Sequence, residues 1–348
     1  MVIIISIIKI IIVFGIIVGM HEGAHFLMAK KNNIYVKEFA IGFGPKVFSK
    51  EKNGTLYTLR AIPLGGFNDL AEEIQLDSEE ARNRIKDKNQ QYYKEASAKI
   101  RFQILVAGVT VNIIFAIILF FTIHLFKTNR SLVVDYVGNE FKSYGIIQEN
   151  DQILKIDGKK IHVIADVDNY LYTNRPEKVQ LTINRNGAEQ ELEVPVSTSD
   201  DTGHTRYLLG VSMKWADKTI KNQLYFSYWN TIDFVSKTLN GYRLLITGKA
   251  SMDNFSGPIG IGETIAKSQG LYEICYYIAA ISISLGIINL FPIPGLDGGK
   301  ILLLIIELIR GKKIDEDVET VLSLIGIGLL LLFAVFITKN DITNFIIK

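Results

Sequence analysis

The chain is short of several residue types, and each scarcity removes a possibility. It has one cysteine, Cys275, set in an apolar run, so no internal disulfide can form and the redox compartment stays open. Its formal net charge is only +2, which gives no sign of a nucleic-acid partner. Histidine occurs just five times, so any spacing among histidines carries weight. Polar residues are also thin: hydrophobic residues make up 48% and mean hydropathy is +0.23. That balance is high for a soluble protein and favours a membrane class. The 348 residues suffice for two domains or one large membrane body.

Long apolar runs are abundant. Val2–Met20 carries Lys9 as its one charge, Phe102–Phe126 and Ile274–Pro294 carry no Asp, Glu, Lys or Arg, and Val321–Ile337 is a fourth run. Each is close to the roughly 20 residues needed to cross about 30 Å of hydrocarbon. The first run lacks the basic start and small-residue cleavage site of a signal peptide, so it reads as a retained span. Arg310, Lys312 and Lys313 lie between the third and fourth runs; Lys30, Lys31, Lys94, Lys99 and Arg101 flank the linker between the first two. Lysine and arginine in short loops favour the cytoplasm. Both loops are therefore expected inside, with residues 127–270 outside.

The outer stretch reads as a soluble domain over residues 131–197. "SLVVDYV" alternates as a strand does, and "VQLTINRNGAEQELEVPV" places two strands around Asn186-Gly187, a hairpin signal. "YGIIQENDQILKIDGKKI" has a further turn at Asp157-Gly158. Within the connector 198–270, "NQLYFSYWNTIDFVSKTLNGYRLLI" has helical apolar spacing. It fits an amphipathic helix at the membrane interface or one packed on the module. In the inner linker, residues 34–67 are strand-like, with turns at Gly42–Pro45 and Asn53-Gly54 and a break at Gly65-Gly66. Asn68–Lys99 is highly charged and reads as a solvated helix or flexible segment. Gly15, Gly19 and Gly23 recur every four residues, a spacing that permits close helix packing in lipid.

Ionisable groups beside a membrane span are costly and signal function. Directly after the first run stands His21-Glu22-Gly23-Ala24-His25. On a helix, histidines four apart share one face and can bind one zinc ion, while the intervening glutamate serves as general base. Catalytic zinc sites usually have three protein ligands. His124, His162 and His204 are assigned to the outer side, which leaves Asp297 in "NLFPIPGLDGGK" as the better third ligand. There Pro292, Pro294 and Gly295 break the third run at the inner face. Asn289 fits either a hydrogen bond to substrate or oxyanion or a tie between helices; Asn112 reads as a helix tie.

With these motifs in this order, the chain resembles the site-2 protease family of intramembrane zinc metalloproteases, in its bacterial branch bearing a PDZ domain. The resemblance runs through His21-Glu22-x-x-His25, "GFGPKVFS", "PLGGF", "AGVTVN", "FSGPIGI" and "NLFPIPGLDGG". It implies a polytopic α-helical membrane protein of about four spans, with a membrane-associated β-hairpin and an inserted extracytoplasmic PDZ-like domain. It also implies Zn2+ on His21, His25 and Asp297, with Glu22 as catalytic base. The expected substrates are single-span membrane proteins already trimmed outside, such as anti-sigma factors, or remnant signal peptides; the expected setting is the plasma membrane. Two departures stand out: Gly108-Val109 replaces a frequent Gly-Pro, and Asn150 stands where glycine is usual before Asp151. No Gly-Leu-Gly-Phe carboxylate loop is recognisable. A zinc transporter or a PDZ-bearing membrane scaffold would be the alternative functions.

Overall fold

The computed structural model describes residues 2–70, 89–201, 204–248 and 257–345, so most of the charged stretch after Asn68 lies outside it. Two compact units result, one from Met1–Leu119 with Leu239–Lys348 and one from Phe120–Thr238.

The first unit is mainly helical. Helix α1 (Val2–Lys31) does not stop at the histidine pair but continues a full ten residues past His21. No proline or helix-ending glycine turn interrupts it before Asn33, whose φ of 57° is left-handed. Helices α2 (Ala98–Phe126), α6 (Leu271–Asn289) and α8 (Glu316–Phe345), with α1, supply four helices long and apolar enough to cross a membrane. Their exposed faces carry Ile4, Ile8, Ile118, Leu324 and Phe336, among others, a surface suited to lipid and unsuited to water. The protein is accordingly a multi-pass membrane protein.

Strands β1 (Val36–Lys52) and β2 (Thr55–Leu70) are joined by Asn53-Gly54, at φ 54° and 81°. Positive φ at both positions is the type I′ geometry that suits a twisted hairpin. Each strand also bends. Residues 38–41 pair on one side with Leu56–Leu59 and on the other with residues 66–69, while Lys46–Lys52 pair back onto Thr55–Arg60. Two strands thus make four antiparallel segments, folded at Gly42–Pro45, where a turn was expected, and at Gly65-Gly66, where a break was expected. Residues 66–70 form one edge. Around the other fold Phe43, Val47, Phe48, Leu59 and Ile62 are exposed.

Beyond α6 the chain breaks over residues 290–296, and α7 (Asp297–Arg310) begins afresh. The helix ends at Asn289, earlier than Pro294, because Pro292 disfavours helical backbone in the residue before it. A short helix, α5 (Pro258–Lys267), is held at both ends. The buried Asp341 carboxylate of α8 accepts Gly257 N–H and Gly260 N–H, each at 2.9 Å. Lys9 of α1 donates to the carbonyls of Ser268, at 2.5 Å, and Ala266, at 3.3 Å. Both charges match the helix dipole. No neighbour presses on the glycine stripe: a Cβ at Gly15, Gly19 or Gly23 would meet nothing within 4 Å among the described residues.

The second unit holds an antiparallel sheet of order β10–β3–β4–β6–β7, formed by β3 (Arg130–Val137), β4 (Gln152–Ile156), β6 (Lys178–Arg185), β7 (Ala188–Pro195) and β10 (Val211–Trp215). β5 (Lys159–Lys160) pairs with β4, and β8 (Ser197–Asp201) with β9 (His204–Leu208). Helix α3 (Ile164–Asn174) packs Val167 and Leu171 into the sheet's core. Since β10 pairs with β3, the sheet runs past residue 197, where the sequence reading ended the module; a pairing so distant in sequence leaves no local signal. Asn186-Gly187 and Asp157-Gly158 have positive φ at both positions, and Asn150 adopts φ 74°, which asparagine tolerates almost as glycine does. Helix α4 (Ile220–Ile246) buries Phe226, Ser227 and Thr231 and stacks Trp229 on His162. Ile220, Leu224 and Tyr228 on its other side stay exposed, so this helix packs with one face and keeps an apolar one free.

A buried ion pair ties α2 to α7: Arg101 Nη2 lies 2.6 Å from Glu307 Oε2, both side chains about nine-tenths covered. Removing one partner of such a pair strands the other charge and costs roughly 3–5 kcal/mol, whereas replacing both with apolar groups is often neutral. Glu307→Ala should therefore melt well below wild type in detergent, and Arg101→Met with Glu307→Leu should recover most of the loss. A double variant no more stable than the single one would show that the pair is not what destabilises the protein.

Candidate metal centre

Helical spacing brings His21 and His25 onto one face of α1, with rings 4.7 Å apart at 86°. The break at residues 290–296 turns the chain so that Asp297, first residue of α7, meets them. His21 Nε2 and His25 Nε2 are 3.3 Å apart, and Asp297 Oδ2 is 3.3 Å from the first and 3.2 Å from the second. Among the described residues this is the one group of three His, Cys, Asp or Glu side chains placed to hold a metal. His124 instead bonds Phe120 O within its own helix, and His162 stacks on Trp229.

The triangle can be tested against zinc. Ligand distances of about 2.0–2.1 Å in a tetrahedron put ligand atoms about 3.3–3.4 Å from one another. The observed spacings match. Protonation points the same way for His25, because its Nδ1 lies 2.7 Å from Ile104 O and must donate its hydrogen there. Nε2 then presents a lone pair. A carboxylate oxygen and imidazole lone pairs turned towards one another repel unless a cation lies among them. The donor set of two imidazoles and one carboxylate suits zinc.

Helix α2 supports the pair from behind, through residues four apart on one face. Ile104 offers its carbonyl to His25. Gly108 gives room: a Cβ there would lie 2.2 Å from His25 Nε2 and 2.8 Å from His21 Nδ1. Asn112 is fully buried, and its side-chain amide lies 3.4 Å from His21 Nδ1. Its Oδ1 has no partner among the described residues. With the amide turned over, Oδ1 accepts His21 Nδ1–H and frees Nε2 as a ligand; nitrogen and oxygen of an amide are assigned from such networks. The expected helix tie exists, but through the backbone, where Ser282 Oγ donates to Asn112 O at 3.1 Å.

Glu22 lines the same cavity of about 500 Å³ as His21, His25 and Asp297. Asn68, on the edge segment of β2, donates to its carboxylate at 2.8 Å and to its carbonyl at 2.9 Å. A Cβ on Gly66 would come 3.0 Å from Glu22 Cγ, so glycine there allows the strand to approach α1. Asn289 is buried, and its Nδ2 lies 3.3 Å from His21 Nε2, pointing a donor into the centre. Ile104 and Asn68 were not singled out from the sequence, and Gly108 was noted only as half of the Gly108-Val109 departure. The recurrence of Ile104 and Gly108 with Asn112 at intervals of four was a usable signal for α2, whereas nothing local marks Asn68.

The chain is similar in sequence to known proteins. The sequence model of peptidase family M50 matches residues 9–333. Zinc metalloprotease RasP of Geobacillus kaustophilus is 30% identical, with 98% of each chain aligned. The regulator of sigma-W protease RasP of Bacillus subtilis is 27% identical over 97% of this chain and 98% of its own. A relative in Clostridium acetobutylicum reaches 31% over 95% of this chain and 96% of its own. The chain belongs to peptidase family M50, in keeping with the site-2 protease resemblance of its motifs.

Proposed function

We propose that this protein is an intramembrane zinc metalloprotease that hydrolyses peptide bonds within or near the spans of single-span membrane proteins. The observation that carries the reading is the triangle of His21, His25 and Asp297 at zinc-ligand spacing, beside Glu22, in a chain with four candidate spans. In this reading those three residues hold zinc. When bound, zinc supplies Lewis acidity, polarising the scissile carbonyl and making water a stronger acid. Glu22 takes the proton from the attacking water and later gives it to the leaving amine. Asn289 Nδ2 is placed to donate to the developing oxyanion.

A helical substrate has its peptide groups already hydrogen-bonded and must unwind to be cut. The edge of β2 at residues 66–70 lines the cavity and has no strand on its outer side among the described residues, so an extended substrate can add there. The exposed apolar side chains between Phe43 and Ile62 support a sheet that dips into the membrane. In the second unit, a cavity of about 260 Å³ lies between edge strand β10 and α3, lined by Val167, Leu171, Leu209 and Gly210, which supports the PDZ-like assignment. Loop lysines and arginines support a zinc site near the cytoplasmic face and an extracytoplasmic module. A zinc transporter has no use for a carboxylate held between the ligands by a dedicated amide, and a scaffold has no use for the triangle.

Glu22→Gln should abolish cleavage while zinc stays near stoichiometric, whereas Asp297→Ala should lower zinc affinity and activity together. Metal analysis beside cleavage of a single-span substrate separates the two, and loss of zinc from the Glu22 variant would reassign that residue. Gly108→Ala places a methyl group on the ligand atoms. It should weaken zinc binding by at least about tenfold, as disturbed ligand support does, while helicity by circular dichroism is retained; undiminished affinity would remove α2 from the site. Finally, a substrate with a short outer segment should be cut faster than the same span carrying a folded outer domain. Equal rates would end the expectation of prior trimming.

A further inference from the structure

Asn68 carries more than its contact with Glu22 requires. Both partners of its Nδ2, the Glu22 carbonyl and Oε2, are pure acceptors, so the amide can face them only with its nitrogen. Its Oδ1 is thereby turned away, and it is buried without a partner among the described residues. An unpaired buried acceptor costs on the order of 1–3 kcal/mol. A donor brought to Oδ1 recovers that cost. Asn68 lines the cavity that holds the zinc triangle, on the strand edge where an extended peptide can add. What such a peptide brings, whatever its side chains, is backbone N–H.

We propose that Asn68 is a substrate-contacting and base-positioning residue: its Oδ1 accepts a backbone N–H of the extended substrate while its Nδ2 holds the Glu22 carboxylate. The proposal rests on the protease reading above. One planar amide then fixes the distance between the substrate backbone and the base. The neighbouring Gly66, whose Cβ would press on Glu22 Cγ, lets the strand come close enough for this. Recognition through the backbone asks nothing of the substrate's sequence, only that the helix be unwound at the point of cleavage. A substrate still helical there has no free N–H to offer and gains nothing from Oδ1.

The test uses the full-length zinc-loaded protein and one single-span substrate. Asn68→Leu removes donor and acceptor; Asn68→Asp keeps an acceptor oxygen at nearly the same volume but loses the donor. In a Glu22→Gln background, where binding is read without turnover, Asn68→Leu should weaken substrate binding about three- to tenfold, the range of one hydrogen bond, while Asn68→Asp should leave it within twofold. With Glu22 intact, both variants should lose at least about tenfold in kcat, and only the leucine variant should raise KM. Zinc content should match wild type in all of them. If leucine prevents folding, the aspartate variant still decides, through reduced kcat at unchanged KM. Loss of zinc, equal effects of both substitutions on binding, or unchanged kcat would overturn the proposal. A wild-type protein that binds zinc yet cuts no membrane substrate would instead overturn the protease reading itself.

Discussion

Three electron-pair donors that repel one another must be kept within 3.3 Å, and most of the first unit can be understood as the means of doing so. Two of them are simple to place, since four residues on a helix return to the same face. The third must come from elsewhere in the chain. An unbroken span at α6 would carry the following residues past the histidines, so the backbone stops being helical over residues 290–296 and restarts at Asp297. Two prolines and a glycine in so short a stretch, Pro292, Pro294 and Gly295, are what that change of direction requires.

Holding the donors is only half the requirement; each must also show the correct atom. The Ile104 carbonyl settles this for His25, and Asn112 is placed to settle it for His21. Helix α2 can serve both only because it comes close, and it comes close because residue 108 has no side chain. Glu22 is governed separately, from the β-sheet side. The triangle and Glu22 thus depend on different elements; in the proposed reading, what occupies the sheet edge acts on Glu22 without loosening the three donors.

Much of this could be read from the residues alone, and the exceptions share a cause. Asn53-Gly54, Asp157-Gly158 and Asn186-Gly187 were legible because a turn with positive φ at both positions is a local demand. The histidine pair and Asp297 were legible because their chemistry is expensive at membrane depth. Gly15, Gly19 and Gly23 satisfied a close-packing pattern, yet a Cβ on any of them would meet nothing within 4 Å among the described residues, since spacing shows that a neighbour could approach and not that one does. Gly108 and Asn68 depend on what stands opposite, on another helix and another strand, and β10 depends on a partner some eighty positions away. The second folding of β1 and β2, which creates the edge beside Glu22, was visible only as two isolated glycine breaks.

The short helix α5 has a mechanical meaning. Lys9 binds one end of it to α1, and Asp341 binds the other to α8. Helix α8 in turn lies so close to the broken segment that a Cβ on Gly326 would fall 1.7 Å from Pro294 O, three residues before Asp297. Traced through these contacts, the path leaves the histidines along α1, crosses α5 and α8, and returns to the aspartate. The metal triangle is one link in a closed ring. Prising Asp297 away from the histidines therefore demands that a second link give way as well. A span so tethered can admit a substrate by bending between the links while the metal ligands stay in register.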